Sequence, residues 1–270
     1  MNVNDVVDGI VFMAKAHQKV SENDFKGEDG YLHCGTCGEP KECSVEFNGI
    51  MRVVPCLCSC GIKERELKKQ ESRQKEIEEL RKKWVSGYED MTFENSIDGP
   101  LMMFAGKYVK NWERIRKEGL SFTLTGNVGC GKTYAAAAIA NKILTFGCKV
   151  WIATTSTMLD MMLTEPEVVH NRLATFDLVV IDDFGSERDT QYAAEKMFQI
   201  IDERYRSKLP TLITTNLNIE QAAPDMTYKR IFSRIQGFAP QFRSKGEDMR
   251  IAKGRENRRL ALEMLKEDDG

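Results

Sequence analysis

A chain of 270 residues has room for one α/β domain of ordinary size and a small appendage. Apolar residues make up 41% of it and charged residues 30%, which suits a globular protein carrying a long solvated segment. The formal net charge of −2 excludes capture of duplex DNA or an anionic membrane by the field of the whole molecule, so any nucleic-acid contact must use a local basic surface.

Between Met1 and Lys19, the residues Val3, Val6, Val7, Ile10, Val11 and Ala14 recur at helical spacing, with Asp5 and Asp8 on the other face. This stretch has no basic start and no cleavage site, so it is not a signal peptide. No run of 18 apolar residues occurs, so no membrane-spanning helix is expected, and the setting expected is cytoplasmic.

Six of the eight cysteines lie between Cys34 and Cys60. In a reducing compartment such a cluster points to metal, where a secreted chain would suggest disulfides. Cys34-Gly35-Thr36-Cys37-Gly38 has the spacing that lets two thiolates bind one tetrahedral ion. Cys56, Cys58 and Cys60 offer the other two ligands; the spacing puts Cys56 and Cys58 first and leaves Cys43 and His33 in reserve. Val45, Phe47, Ile50, Val53 and Val54 between the two groups suit a small hairpin folded around the ion. Four thiolates favour structural Zn²⁺ over an iron–sulfur cluster and leave no open catalytic position. Redox thiols and plain buried cysteines are the alternatives. Residues 1–61 are expected to form this zinc-binding domain.

Residues 62–87 form a charged linker. Glu64/Lys68, Glu71/Lys75, Glu78/Lys82 and Glu79/Lys83 stand at i,i+4 with Glu first, each pair supporting a helix by roughly 0.2–0.5 kcal/mol. Its apolar stripe is confined to Ile77, Leu80 and Trp84, so an exposed helix is expected and a coiled coil is not.

From residue 88 to 270 strands and helices alternate, which implies parallel βαβ units and a sheet covered on both faces. Strands are expected at Ser121–Thr125, Cys148–Ala153, Phe176–Asp182 and Pro210–Thr215. Helices are expected at Lys132–Phe146, Thr157–Leu163 (limited by Pro166) and Gln191–Ser207.

Gly126-Asn127-Val128-Gly129-Cys130-Gly131-Lys132-Thr133 fits G-x-x-x-x-G-K-[ST] between the first strand and the first of these helices. Glycines let backbone N–H groups curl around phosphate oxygens, and the helix aims its positive end at them. In such a loop Lys132 reaches the β- and γ-phosphates of ATP and the Thr133 hydroxyl ligates Mg²⁺. Cys130 is an unusual occupant: either a thiol made reactive at a helix N-terminus, or a small residue that fills its place. The strand Leu178-Val179-Val180-Ile181 ends in Asp182 and Asp183, carboxylates set at the sheet edge beside the phosphates. Asp182 is expected to support Mg²⁺ and Asp183 to orient or deprotonate the attacking water. Leu212-Ile213-Thr214-Thr215 ends in Asn216, placed to meet the γ-phosphate or that water.

Together GNVGCGKT, LVVIDDFG, LITTN and Tyr228-Lys229-Arg230-Ile231-Phe232-Ser233-Arg234-Ile235 resemble the AAA+ ATPases, and among them the bacterial and phage helicase loaders of the DnaC/DnaI type, over about Tyr88 to Arg250. The resemblance implies a P-loop parallel-sheet core, self-association through ATP interfaces, and Arg234 as an arginine finger. Arg230 stands four residues earlier on the same helix face. A helix whose arginines pair with nearby acids is the alternative. Gly246-Glu247-Asp248-Met249-Arg250 is similar to a segment that carries a nucleotide-sensing arginine, here Arg250. Asp183, where many AAA+ proteins have Glu, implies slow, regulatory hydrolysis. The resemblance further implies that the zinc domain grips a DnaB-type replicative helicase and that the assembly binds single-stranded DNA. Phe238, Phe242, Arg243, Lys245 and the basic stretch Arg250–Arg259 are candidates for that contact, with core aromatics and a solvated tail as the alternative. An ATP-dependent loader of the replicative helicase is therefore expected, with an IstB-like transposition helper ATPase as the other reading. A scaffold that binds ATP without turning it over is a third.

Overall fold

A computed structural model of the protein describes residues 3–186, 190–217 and 226–244, together with 254, 255, 258, 259, 261 and 262. The chain divides into two compact units, residues 1–76 and 77–270.

The first unit opens with α1, Val3–Ala16. Two short strands, β1 (Phe25–Lys26) and β2 (Leu32–His33), pair antiparallel. The hairpin expected from the valine-rich spacer is β3 (Glu42–Phe47) with β4 (Ile50–Pro55), in register Phe47↔Ile50. Its two-residue loop, Asn48-Gly49, has φ of 52° and 74°, the geometry that matches strand twist and that Asn-Gly adopts readily. Buried Arg52 on β4 donates to Asp8 Oδ1 of α1 at 2.6 Å and to the Phe47 carbonyl at 3.0 Å. The helix α2, Ser59–Trp84, then begins inside the cysteine cluster. Lys68 pairs with Glu64 as the spacing predicts, whereas Glu78 meets Arg81, at 3.8 Å.

The end of α2 corrects the expectation of a wholly exposed linker. Ile77, Leu80 and Trp84 pack on the core of the second unit, and the Trp84 ring stands edge-on to Phe176 at 5.0 Å. Three apolar residues at helical spacing are enough to dock two turns.

The second unit is a five-stranded parallel sheet. Its strands are β5 (Phe122–Gly126), β6 (Val150–Thr154), β7 (Leu178–Phe184), β8 (Thr211–Thr215) and β9 (Gln241–Ser244), in the spatial order β6-β7-β8-β5-β9. Side chains alternate between two cores, as strand periodicity requires. Leu124, Val150, Ile152, Leu178, Val180 and Leu212 face α3 (Pro100–Lys110), α4 (Trp112–Glu118) and α5 (Lys132–Leu144). Trp151, Ala153, Val179, Ile181 and Ile213 face α6 (Thr155–Thr164), α7 (Pro166–Thr175), α8 (Gln191–Ser207) and α9 (Met226–Phe238). Ala135, Ala136, Ala137, Ala138 and Ala140 are fully buried, so α5 lies close against the sheet. Pro166 does more than limit α6: it occupies the first turn of α7, where its missing N–H costs nothing.

Arg204 of α8 is fully buried and ties this unit together. It donates to the carbonyls of Leu173 (2.6 Å), Phe176 (3.2 Å) and Pro210 (2.5 Å) and to Thr211 Oγ1 (3.0 Å). Burial lowers its pKa to about 10, which leaves it charged at neutral pH. Each acceptor it satisfies would otherwise cost about 1–3 kcal/mol.

Candidate nucleotide site and metal centre

The carboxyl ends of β5, β7 and β8 lie side by side in the sheet, so their terminal residues converge. Gly126 ends β5 at φ 148°, and a Cβ there would stand 2.4 Å from the Ser244 carbonyl of β9. Only glycine fits this close approach. Gly131, at φ 92°, turns the chain into α5. Lys132 is the first residue of that helix. Its buried ammonium donates to the carbonyls of Gly126 (2.9 Å) and Asn127 (2.8 Å) and to Asn216 Oδ1 (2.8 Å). Cys130 is buried under the loop with its sulfur 3.8 Å from that ammonium, which favours the space-filling reading of this residue.

The two acids near the end of β7 diverge because the ladder shifts register between Ile181 and Phe184, and Asp183 takes φ 56°. Asp182 is 3% exposed. Its Oδ1 accepts from the Thr214 hydroxyl at 2.6 Å and its Oδ2 from the Tyr88 hydroxyl at 3.1 Å. The same Thr214 hydroxyl accepts from the Asp183 N–H at 2.9 Å, and Asp183 Oδ1 accepts from the Asn216 amide at 3.2 Å. A continuous chain of hydrogen bonds thus runs from Lys132 through Asn216, Asp183, Thr214 and Asp182 to Tyr88. All except the acidic Asp183 and Asp182 are donors or bridges that hold those carboxylates at fixed angles. Lys132, Thr133, Asp182, Asp183 and Asn216 line one cavity of about 1810 Å³ together with Val128, Gly129, Cys130 and Gly131. Oxygen ligands from Thr133 and Asp182 suit Mg²⁺.

Sequence reasoning missed two members of this network. Thr214 carries a signal: a polar side chain inside a buried strand, 1% exposed, must find a partner. Tyr88 carries none, because its position is set by tertiary packing.

Arg234 does not join the site within one chain. It donates to Asp202 Oδ1 at 2.8 Å and stacks over Phe198 at 4.3 Å, while Arg230 is exposed. Phe242 packs on Phe104 at 4.8 Å and Phe238 on Tyr205 at 5.8 Å, and both are half-buried against the two cores. Lys245 and the segment Gly246-Glu247-Asp248-Met249-Arg250 lie outside the described residues, as does much of the basic stretch that follows.

In the first unit, Cys34, Cys37, Cys58 and Cys60 bring their sulfurs within 4.8 Å of one another. Cys60 Sγ is 3.4 Å from Cys34, 3.2 Å from Cys58 and 3.5 Å from Cys37. A tetrahedral Zn²⁺ with Zn–S of about 2.3 Å needs S···S near 3.8 Å, so a small expansion fits the ion. The backbone N–H groups of Cys37 and Thr36 draw the Cys34 thiol down to about 6, as a zinc knuckle requires. Hydrogen bonds with Cys58, Cys34 and Cys37 push the Cys60 thiol up, a shared proton whose place a divalent cation would take. The geometry corrects the order of preference among the last three cysteines: Cys56 is outside the cluster. Its amide continues the hairpin by donating to the Lys41 carbonyl at 2.8 Å, and its thiol turns to the Pro40 carbonyl at 3.4 Å. His33 is likewise committed, to the Gly38 carbonyl at 2.9 Å and to Asp29 at 3.0 Å, contacts that raise its pKa. Asp24 buttresses the knuckle by accepting from the Gly35 N–H at 3.1 Å. Lys41 holds the Asp24 pKa at about 2, so this support is complete above the ordinary carboxylate range and is lost as pH falls towards 2.

Among the described residues no helix is long and apolar enough to cross a membrane. Residues 64–256 match the family described as IstB-like ATP binding protein. The chain is 37% identical over 123 residues to the replicative helicase loader DnaC of Escherichia coli K12, which covers 43% of this chain and 50% of that protein. It is 26% identical over 158 residues to the DnaC of Buchnera aphidicola subsp. Schizaphis graminum, covering 55% of this chain and 62% of the relative. The chain therefore spans between half and two thirds of the curated relatives it matches. AMPPCP-bound DnaA from Aquifex aeolicus superposes with a TM-score of 0.50 at 20% identity, over 58% of this chain and 50% of that one, a likeness of fold. The family match takes in well over half of the residues, including the whole of the loop, the paired acids and Asn216: the chain belongs to the IstB-like ATP-binding proteins.

Proposed function

We propose that this protein is an ATP-dependent loader that places a DnaB-type replicative helicase on single-stranded DNA during replication initiation, in the cytoplasm. The observation that carries the proposal is the hydrogen-bonded chain from Lys132 to Asp182 in a fold whose named relatives include helicase loaders. In this reading Lys132 neutralises charge on the β- and γ-phosphates of ATP, and the backbone N–H groups from Gly126 to Gly131 cradle them. Thr133 and Asp182 hold Mg²⁺, which neutralises charge developing between those phosphates. Asn216 fixes Asp183, and Asp183 orients the attacking water. A short, tethered carboxylate suits slow hydrolysis that times a switch more than it drives a motor.

Arg234 completes the site from a neighbouring copy, leaving Asp202 to do so, and Arg250 senses the nucleotide. ATP then joins subunits. Residues 1–61, stapled by Zn²⁺ on Cys34, Cys37, Cys58 and Cys60, grip the helicase, and residues 62–87 link them to the ATPase domain of residues 88–270.

The family description favours one other reading, a transposition helper ATPase. A pull-down separates the two. The full chain is expected to capture purified replicative helicase, and a chain lacking residues 1–60 is not. Capture of a transposase, with no helicase bound by either form, would replace the loader reading with the helper.

A further inference from the structure

The segment from Val85 to Thr92, between α2 and α3, lies apart in sequence from the P-loop, the paired acids and Asn216. It is nevertheless held firmly against α5. Val85 is fully buried. Asn141 of α5, 1% exposed, donates its amide to two carbonyls of the segment, Tyr88 at 2.8 Å and Met91 at 3.0 Å. Tyr134, two residues beyond Lys132, donates its hydroxyl to the Thr92 carbonyl at 3.0 Å. The outcome of this clamping is the placement of one side chain: the Tyr88 hydroxyl, 3.1 Å from Asp182 Oδ2.

Resting on the reading of Asp182 as the Mg²⁺-supporting carboxylate, we infer that Tyr88 is a positioning residue for that metal, delivered across the sheet edge by a segment fastened to the helix that follows the P-loop. Two hydroxyls, from Thr214 and Tyr88, take one oxygen each of the Asp182 carboxylate. With one donor the carboxylate still rotates about its Cβ–Cγ bond; with two it presents one orientation. The remaining lone pairs of both oxygens then point in fixed directions towards the cavity that Thr133 shares. Outer partners of this kind orient ligand groups, and their loss commonly costs about 10–100-fold in metal affinity. Because Asn141 and Tyr134 belong to α5, movement of the P-loop helix carries the Tyr88 hydroxyl with it. Loop and carboxylate are thereby linked by a path that avoids the nucleotide.

The test is Tyr88→Phe, which removes one oxygen and keeps the ring. Three quantities are measured on the full chain. They are Mn²⁺ affinity in the presence of ATP by electron paramagnetic resonance, binding of a fluorescent ATP analogue in EDTA, and the thermal midpoint. The expected result is Mn²⁺ affinity weakened about tenfold, with metal-free nucleotide binding and the midpoint unchanged. Mn²⁺ affinity equal to that of the wild type overturns the inference and leaves the nucleotide site standing. A loss of metal-free nucleotide binding and of thermal midpoint in step with Mn²⁺ affinity overturns it too, since Tyr88 would then be a packing residue. A wild-type chain that binds neither the analogue nor Mn²⁺ with ATP overturns the nucleotide reading itself, and this inference with it.

Discussion

Lys132→Ala is expected to abolish measurable ATP turnover, with a fall of roughly 10²–10³-fold or more, because it removes the buried ammonium held at the P-loop. The same substitution severs Asn216 from the loop, since Asn216 Oδ1 accepts from this ammonium. Nucleotide affinity therefore falls together with turnover. Asp183→Asn separates the two effects. The asparagine keeps the size of the side chain and an oxygen for the Asn216 amide, but it cannot act as a base or hold water as a carboxylate does. It should bind ATP as the wild type does and fail to release phosphate. Phosphate release and equilibrium binding, measured on both variants, check this. A Lys132→Ala chain with undiminished affinity would contradict the geometry of the site. An Asp183→Asn chain with full turnover would remove Asp183 from its role.

Removing zinc should have the largest structural effect, and should confine it to the first unit. In residues 3–76 the only buried apolar side chains are Cys34 and Cys58, with Arg52 as the buried charge. Val45, Phe47, Ile50 and Met51 on the hairpin are exposed. A unit of this size without an apolar core needs a staple. Structural Zn²⁺ contributes apparent binding energies of about 10–16 kcal/mol in small metal-dependent domains, and that binding energy is folding energy. A strong chelator should therefore unfold the hairpin while the five-stranded sheet persists, as followed by amide hydrogen exchange. Single substitutions sharpen the assignment. Cys60→Ser should lose zinc and unfold the unit, whereas Cys56→Ser should retain one zinc per chain. The opposite pattern would restore Cys56 to the site.

The nucleotide-binding core is legible because its signals are local. β7 is a continuous apolar run that ends in two acids, β5 runs straight into the glycine loop, and α5 follows that loop without interruption. The Asn48-Gly49 turn lies in plain view between two runs of β-formers. The choice between Cys56 and Cys60 was not legible, because it depends on register. Cys56 is still in the ladder, opposite Lys41, and its thiol turns away; Cys60 lies in the first turn of α2, which brings the chain back over the knuckle. The helices α3 and α4 depend on long-range packing, seen in Trp112, whose buried indole donates to Cys148 at 3.3 Å. Tyr88 is the extreme case, meeting Asp182 across 94 positions of sequence. Arg234 illustrates the opposite limit. Its motif is readable, but its partner in one chain is Asp202, and its proposed partner in an assembly is the nucleotide of a neighbour.

In the proposed function, ATP on the loop from Gly126 to Thr133 controls the transfer of a helicase to DNA. The most direct measurement is the amount of purified replicative helicase retained on circular single-stranded DNA, with wild-type protein and with Lys132→Ala, each with and without ATP. Retention is expected to require both the wild-type protein and ATP. Equal retention with Lys132→Ala, or without ATP, would overturn the proposed function.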